Sequence, residues 1–224
     1  MTTLTSSSFV EALRASNLLA PAQLDALAGG RGADSRALAR QLVQQGWLTP
    51  FQVNQLLQGR GADLVLGPYV LLERLGQGGM GQVFKARQRR LNRIVALKVI
   101  RRECADDTEA MVRFQREIAA VAGLSHPNIV RAFDAGEDHG TLYFVMEYLA
   151  GRSLAAEVER SGPVPAPLAC EYMRQAALAL HHIHDHGLIH RDIKPSNLFL
   201  EKQATAEGPA YQVKVLDLGL GSVR

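Results

Sequence analysis

The chain has 224 residues, enough for one or two domains, and its 47% hydrophobic and 21% charged residues are an ordinary globular balance. The net charge is only +3 and no basic block is longer than RQRR at 87–90, so a solvated surface outweighs nucleic-acid binding. Two cysteines, Cys104 and Cys170, form no CxxC, the N-terminus carries no secretory signal, and no run is long and apolar enough to span a bilayer; the expectation is a reduced, cytoplasmic protein without a disulfide framework.

After an expected disordered start at 1–8, residues 9–59 have helical periodicity and a weak internal repeat. NLLAPAQLDAL (17–27) aligns with GWLTPFQVNQL (46–56), matching Pro21 to Pro50, Gln23 to Gln52, Leu24 to Val53 and Leu27 to Leu56. Thr49 suits an N-cap and Pro50 the first helical position. The pattern predicts two helical hairpins joined by the Gly-rich AGGRGAD (28–34), a packing or interaction module without a catalytic constellation. A linker is expected at 60–68. Strands follow at 69–75, 82–87 and 93–100, then a helix at about 107–122 opened by the capping pair Asp106 and Glu109, and strands at 129–135 and 141–147. Helices are expected at about 153–160 and 165–186; after the loop GLIHRDIKPSN come two short strands, LFL and VKVLDL, flanking a polar insert at 201–210 that lengthens a hairpin and reads as a surface loop.

Within LGQGGMGQVFKA (75–86), Gly76, Gly78 and Gly81 spell GxGxxG, a weak signal alone. A dinucleotide-binding unit would open a helix next, whereas QVFKAR reads as a strand; a P-loop would need Gly-Lys-Ser/Thr, which is missing. A glycine-rich hairpin remains, able to lay backbone N–H groups over phosphate oxygens, with glycine expected for close approach and positive φ. Lys98 lies in the apolar strand IVALKVI, where a lysine is costly unless paired or ligand-bound, and Glu117 on the following helix is its candidate partner. HRDIKPSN (190–197) gathers His190, Arg191, Asp192, Lys194 and Asn197, with an acid able to orient a hydroxyl and an amide able to ligate a metal; Asp217 in DLG adds a hard oxygen ligand.

GQGGMGQV, VALK, FQREI, HPNIV, VMEYL, HRDIKPSN and DLG stand in the order and spacing of the protein kinases, and over 69–224 the chain resembles a bacterial serine/threonine kinase of the eukaryotic type. The resemblance implies an α+β fold: an antiparallel β-sheet N-lobe with its hinge at 69–149 and part of a helical C-lobe at 150–224, preceded by the small all-α module. It implies ATP and Mg2+ as cofactors and proteins bearing Ser or Thr as substrates. Leu75, Gly76, Gly78 and Gly81 would cover the nucleotide, Val83 and Ala96 would lie over adenine, and Lys98, paired with Glu117, would meet the α- and β-phosphates. Met146 would sit behind adenine, Glu147 and Leu149 would offer it backbone hydrogen bonds, Ser153 would approach the ribose and Phe199 would form the floor. Asp192 would be the catalytic base, Lys194 would stabilise the transferred charge, and Asn197 and Asp217 would hold magnesium.

Leu218 replaces the commoner aromatic of DFG and can fill the same apolar slot. The sequence stops at Arg224 without A-P-E, so the expectation is a fragment that retains nucleotide affinity, exposes apolar faces of the 165–186 helix and phosphorylates proteins weakly if at all. Two alternatives stand beside the kinase: a non-catalytic ATP-binding scaffold, and an adaptor that binds a protein partner through residues 9–59. His182 and His186 in HHIHDH share a helical face, but without a third ligand they read as a helix end rather than a metal site, and Cys170 reads as a small core residue.

Overall fold

In the computed structural model, which describes residues 6–28, 35–78, 81–100, 112, 118, 119, 122–205 and 208–216, the N-terminal segment folds into four short helices: α1 (Ser6–Ala15), α2 (Pro21–Ala28), α3 (Ser35–Gln44) and α4 (Pro50–Leu57). The repeat is visible as chemistry. Gln52 accepts from the Thr49 N–H at 2.9 Å, and Gln23 accepts from the Ala20 N–H at 2.9 Å, so both copies close the helix start with the same glutamine after the same proline. At α4 the Thr49 hydroxyl also accepts from the Gln52 N–H at 3.2 Å, completing a capping box. Phe9, Leu13, Leu42 and Leu56 are fully buried, each contributing about 1.5–3 kcal/mol of apolar transfer.

The segment expected to be a linker is structured. Gly61 is buried where a Cβ would come within 2.8 Å of Leu56, a 3-10 turn spans Ala62–Leu64, and β1 (Val65–Leu66) pairs with β2 (Tyr69–Gln77). These elements group with β3 (Gly81–Gln88), most of β4 (Arg93–Ile100) and the helices in one unit, Met1–Val99 with Glu137–Gly140. Its strand order is β1-β2-β3-β4. The β2–β3 register runs from Tyr69 opposite Gln88 to Gln77 opposite Gln82, with shifts between Leu71 and Glu73 and between Arg74 and Gly76.

The second unit comprises Ile100–Gly136 and Thr141–Arg224. The expected helix at 107–122 and its capping pair lie largely outside the described residues. β5 (Ala132–Asp138) neighbours β6 (Thr141–Glu147), and β7 (Gly151–Ser153), β8 (Leu198–Thr205) and β9 (Gly208–Val215) form a small antiparallel sheet. Gly151 is required by close approach, since a Cβ there would fall 1.9 Å from the Leu200 carbonyl oxygen. The 201–210 insert lengthens the hairpin as expected, but its described residues are paired strand rather than loop: β8 and β9 stay in register from Leu198–Val215 out to Thr205–Gly208.

Between β7 and β8 lie α5 (Leu154–Ser161) and the long α6 (Ala166–Asp185). α6 buries Tyr172, Ala176, Ala179 and Ile183, while Leu168, Met173 and Leu178 stay exposed. Cys170 is also exposed, against the expectation of a core position, because the buried stripe of α6 passes through its neighbours Tyr172 and Ala176.

Candidate active site

In the first unit β2 and β3 make the expected hairpin, with the Gly78 N–H donating to the Gly81 carbonyl at 2.9 Å and Gly76 opposite Val83. The expectation of positive φ at the glycines is corrected for Gly76 and Gly78, neither of which adopts it; a Cβ on either would meet nothing within 4 Å. The chain's own atoms therefore do not demand glycine there, and the hairpin presents bare backbone at both positions. Leu75, at the same end of β2, is exposed. Ala96 is buried in β4 and Lys98 is half-buried two residues on, between the buried Leu97 and Ile100. Glu117 and Asp217 lie outside the described residues.

In the second unit the loop 190–197 brings three of the expected residues into direct contact. Asp192 Oδ2 accepts from Lys194 Nζ at 2.8 Å and from Asn197 Nδ2 at 2.9 Å, and the same amide nitrogen donates to the Asp192 carbonyl at 2.9 Å. The Lys194 hydrogen bond, with help from Asn197, holds the Asp192 carboxyl below its usual range, so it is an anion near neutrality. With its nitrogen turned to Asp192, the Asn197 side chain keeps its carbonyl oxygen as a hard donor.

His190 carries this loop. It is buried, its Nε2 lies 2.9 Å from the Leu216 carbonyl, and its Nδ1 accepts from the Asp192 N–H at 3.3 Å. A carbonyl only accepts, so Nε2 bears the hydrogen, and the neutral ring satisfies both contacts. The Leu216 N–H donates to the Asn197 carbonyl at 2.9 Å, closing the loop onto the end of β9. Arg191 sits at φ 62°, a left-handed conformation that arginine rarely takes and that these flanking bonds impose.

At the end of β6, Met146 and Leu149 are buried. The Glu147 N–H is committed to the Arg131 carbonyl at 2.9 Å, so the backbone group it can offer is its carbonyl. Ser153 is the N-cap of α5, accepting from the Ala156 N–H at 3.2 Å, and stands opposite Phe199 in the β7–β8 ladder.

Two contributors escaped the sequence reading. Lys214 is buried on β9 and donates to Glu147 Oε1 at 2.7 Å; the same oxygen accepts from the Arg131 N–H at 2.9 Å. A lysine in the apolar run VKVL carries the signal that drew attention to Lys98. Asn128, buried in HPNIV, donates to the Val213 carbonyl at 2.8 Å and to Gln175 at 3.1 Å, while the Val215 N–H donates to the Asn128 carbonyl at 2.8 Å. These bonds stitch residues 126–130 to β9.

The histidine rings pack at tilted angles rather than converging. The His182 ring lies 4.4 Å from that of His186 and 5.1 Å from that of His126. Among the described residues no group of three or more His, Cys, Asp or Glu could hold a metal, and no helix is long and apolar enough to cross a membrane.

The family model of the protein kinase domain matches residues 69–223. The chain belongs to the protein kinase family. Among curated relatives, PknB of Mycolicibacterium smegmatis, a serine/threonine-protein kinase, is 43% identical over 156 residues, covering 68% of this chain and 24% of its own. PrkC of Bacillus subtilis, likewise a serine/threonine-protein kinase, is 36% identical over 158 residues, covering 70% and 23%. The chain thus spans about a quarter of the length of these relatives. The crystal structure of the Mycobacterium tuberculosis PknI kinase domain superposes with a TM-score of 0.60 at 31% identity, covering 70% of this chain and 61% of that one. The fold is that of a protein kinase, and members of this family use ATP, typically with Mg2+.

Proposed function

We propose that the chain carries the nucleotide-binding and phosphoryl-transfer residues of an ATP-dependent serine/threonine protein kinase that acts on Ser or Thr hydroxyls of other proteins. The observation that carries the reading is the Asp192–Lys194–Asn197 contact set: a fixed carboxylate, a cation and a hard amide oxygen within one loop. Asp192, held ionised, accepts the hydrogen of the attacking hydroxyl and aligns it; Lys194 is close enough to neutralise charge that grows on the transferred group. The lysine in DIKPSN is the basis for serine and threonine rather than tyrosine.

The residues present fit the nucleotide and its metal. Bare backbone at Gly76 and Gly78 is what a phosphate chain needs for close approach, and Val83 and Ala96 supply an apolar surface for a base. Lys98, paired with Glu117, would meet the phosphates. The Glu147 carbonyl and the Leu149 backbone would read the adenine edge, with Met146 and Phe199 packed against it, Leu75 at the mouth and Ser153 toward the ribose. Asn197 and Asp217 would hold Mg2+, which when bound screens the phosphate charges.

The test is MgATP binding to the 224-residue chain, with transfer to a serine/threonine peptide library. Lys98→Met should weaken nucleotide binding, whereas Asp192→Asn should leave it nearly intact and abolish any transfer. A chain that binds no MgATP at millimolar concentration would overturn the reading.

A further inference from the structure

We propose that the N-terminal helices brace the glycine-rich hairpin, and that Thr49 and Gln52 are positioning residues for it; this rests on the kinase reading above. β1 pairs with Tyr69 and Val70, and at Leu71 and Leu72 β2 is met by the start of α4. Thr49 Oγ1 donates to the Leu72 carbonyl at 2.6 Å, and Gln52 Nε2 donates to the Leu71 carbonyl at 2.8 Å. Successive carbonyls of a regular strand point to opposite sides, so one helix start could not reach both. It can here because the β2–β3 register skips Leu72, pairing Leu71 with Ala86 and Glu73 with Lys85. Leu72 is the extra residue of a β-bulge, its carbonyl has left the ladder, and Thr49 supplies the lost donor.

Gln52 is only 3% exposed, and both ends of its amide are used: Oε1 closes the cap on Thr49 and Nε2 holds Leu71. The two residues that start α4 therefore also fix a bend in β2, four residues ahead of Gly76. The partner strand is held as well. Phe51 packs its ring 5.9 Å from that of Phe84, three residues past Gly81, and Arg89 at the far end of β3 donates to the Asn17 carbonyl at 2.6 Å. Each strand of the hairpin is fastened to the helices, so the helices set where the bare glycine backbone lies. The module read as a packing or interaction unit, with an adaptor as an alternative, spends this face of α4 on its own chain.

The test uses the full chain and two readouts: the affinity for a fluorescent ATP analogue with Mg2+, and amide hydrogen exchange over residues 73–78 and 81–83 without nucleotide. Gln52→Leu keeps a good helix former but removes the donor to Leu71 together with the cap acceptor for the Thr49 N–H, and Thr49→Val removes the donor to Leu72 together with the cap acceptor for the Gln52 N–H. Each should weaken nucleotide binding by about three- to tenfold and speed hairpin exchange, the size expected for one hydrogen bond. Thr49→Ser keeps the hydroxyl and should stay within about twofold of the parent. Arg89→Met, which removes no buried side chain, should speed exchange to a smaller degree. Trp47, the only tryptophan, precedes the capping pair, so its emission reports whether the helices remain seated. Unchanged affinity and unchanged hairpin exchange in both Gln52→Leu and Thr49→Val overturn the brace. A parent chain that binds no nucleotide refutes the kinase reading instead, and hairpin exchange then decides the brace by itself.

Discussion

Replacing Lys214 by methionine removes the cation that holds the end of β6 against β9. The lysine side chain is 10% exposed and Glu147 is 23% exposed, so the pair sits near the buried limit, where removing one partner costs about 3–5 kcal/mol. Two features lower that figure. Glu147 keeps the Arg131 N–H as a donor, and its partial exposure lets water approach. One feature raises it: Glu201, whose carboxyl is pushed up chiefly by burial and further by Glu147, loses the nearby Lys214 charge that opposes both. The expected net cost for Lys214→Met is about 2–3 kcal/mol. Glu147→Gln combined with Lys214→Met should recover at least about 1 kcal/mol of that, since the glutamine oxygen can still accept from Arg131 and no unpaired carboxylate remains. Urea denaturation followed by far-UV circular dichroism measures all three variants. A single-mutant cost below about 1 kcal/mol, or a double mutant no more stable than the single, would refute the assignment of Lys214 as the counter-charge that orders the Glu147 backbone.

Other outcomes follow from geometry already described. Burial, His182 and Lys214 together depress the His126 pKa, so the unfolded chain binds this proton more tightly, and stability is present above the unfolded value near 6.5 and lost as pH falls below it. His126→Gln should flatten the pH dependence of melting between about pH 7 and 5, which a thermal-shift series would measure. Gly151→Ala forces a Cβ to 1.9 Å from the Leu200 carbonyl and should cost about 3 kcal/mol or more, seen as loss of slow-exchanging amides in β7 and β8. Lys194→Ala removes the largest influence lowering the Asp192 pKa, so the acid limb of any phosphoryl transfer should move to higher pH, with a fall in kcat larger than the change in KM for ATP.

The strands around the glycine hairpin and the 190–197 loop were legible because their signals are local: GxGxxG before a β-branched strand, and an acid, a lysine and an amide within six residues. The internal repeat was legible for the same reason, and Gln23 and Gln52 perform the same closure in each copy. What the sequence withheld depends on partners far along the chain. The reach of Thr49 to Leu72 and of Lys214 to Glu147 spans separations of 23 and 67 residues that no periodicity encodes. The polar insert was legible as a lengthened hairpin but not as strand, because its composition reads as a loop, whereas cross-strand pairing with a ladder already formed at Leu198 and Val215 carries its described residues into a ribbon. Residues 60–68 misled in the same way: their glycines suggested slack, but Gly61 is buried, and a Cβ there would press to 2.8 Å of the Leu56 side chain.

The ribbon of β8 and β9 also constrains how this chain can change in length. Every pair from Leu198–Val215 to Thr205–Gly208 is in register, and side chains alternate faces with a period of two. Adding or deleting one residue in a single strand would turn every side chain beyond it to the opposite face or force a bulge; a matched pair, one in each strand at the tip, would leave Phe199, Lys214 and Val215 undisturbed. Relatives and engineered versions that differ here are expected to do so in matched steps, which makes the far end of the ladder, beyond the Thr205–Gly208 pair, the natural place to graft a peptide without disturbing the loop that holds Asp192.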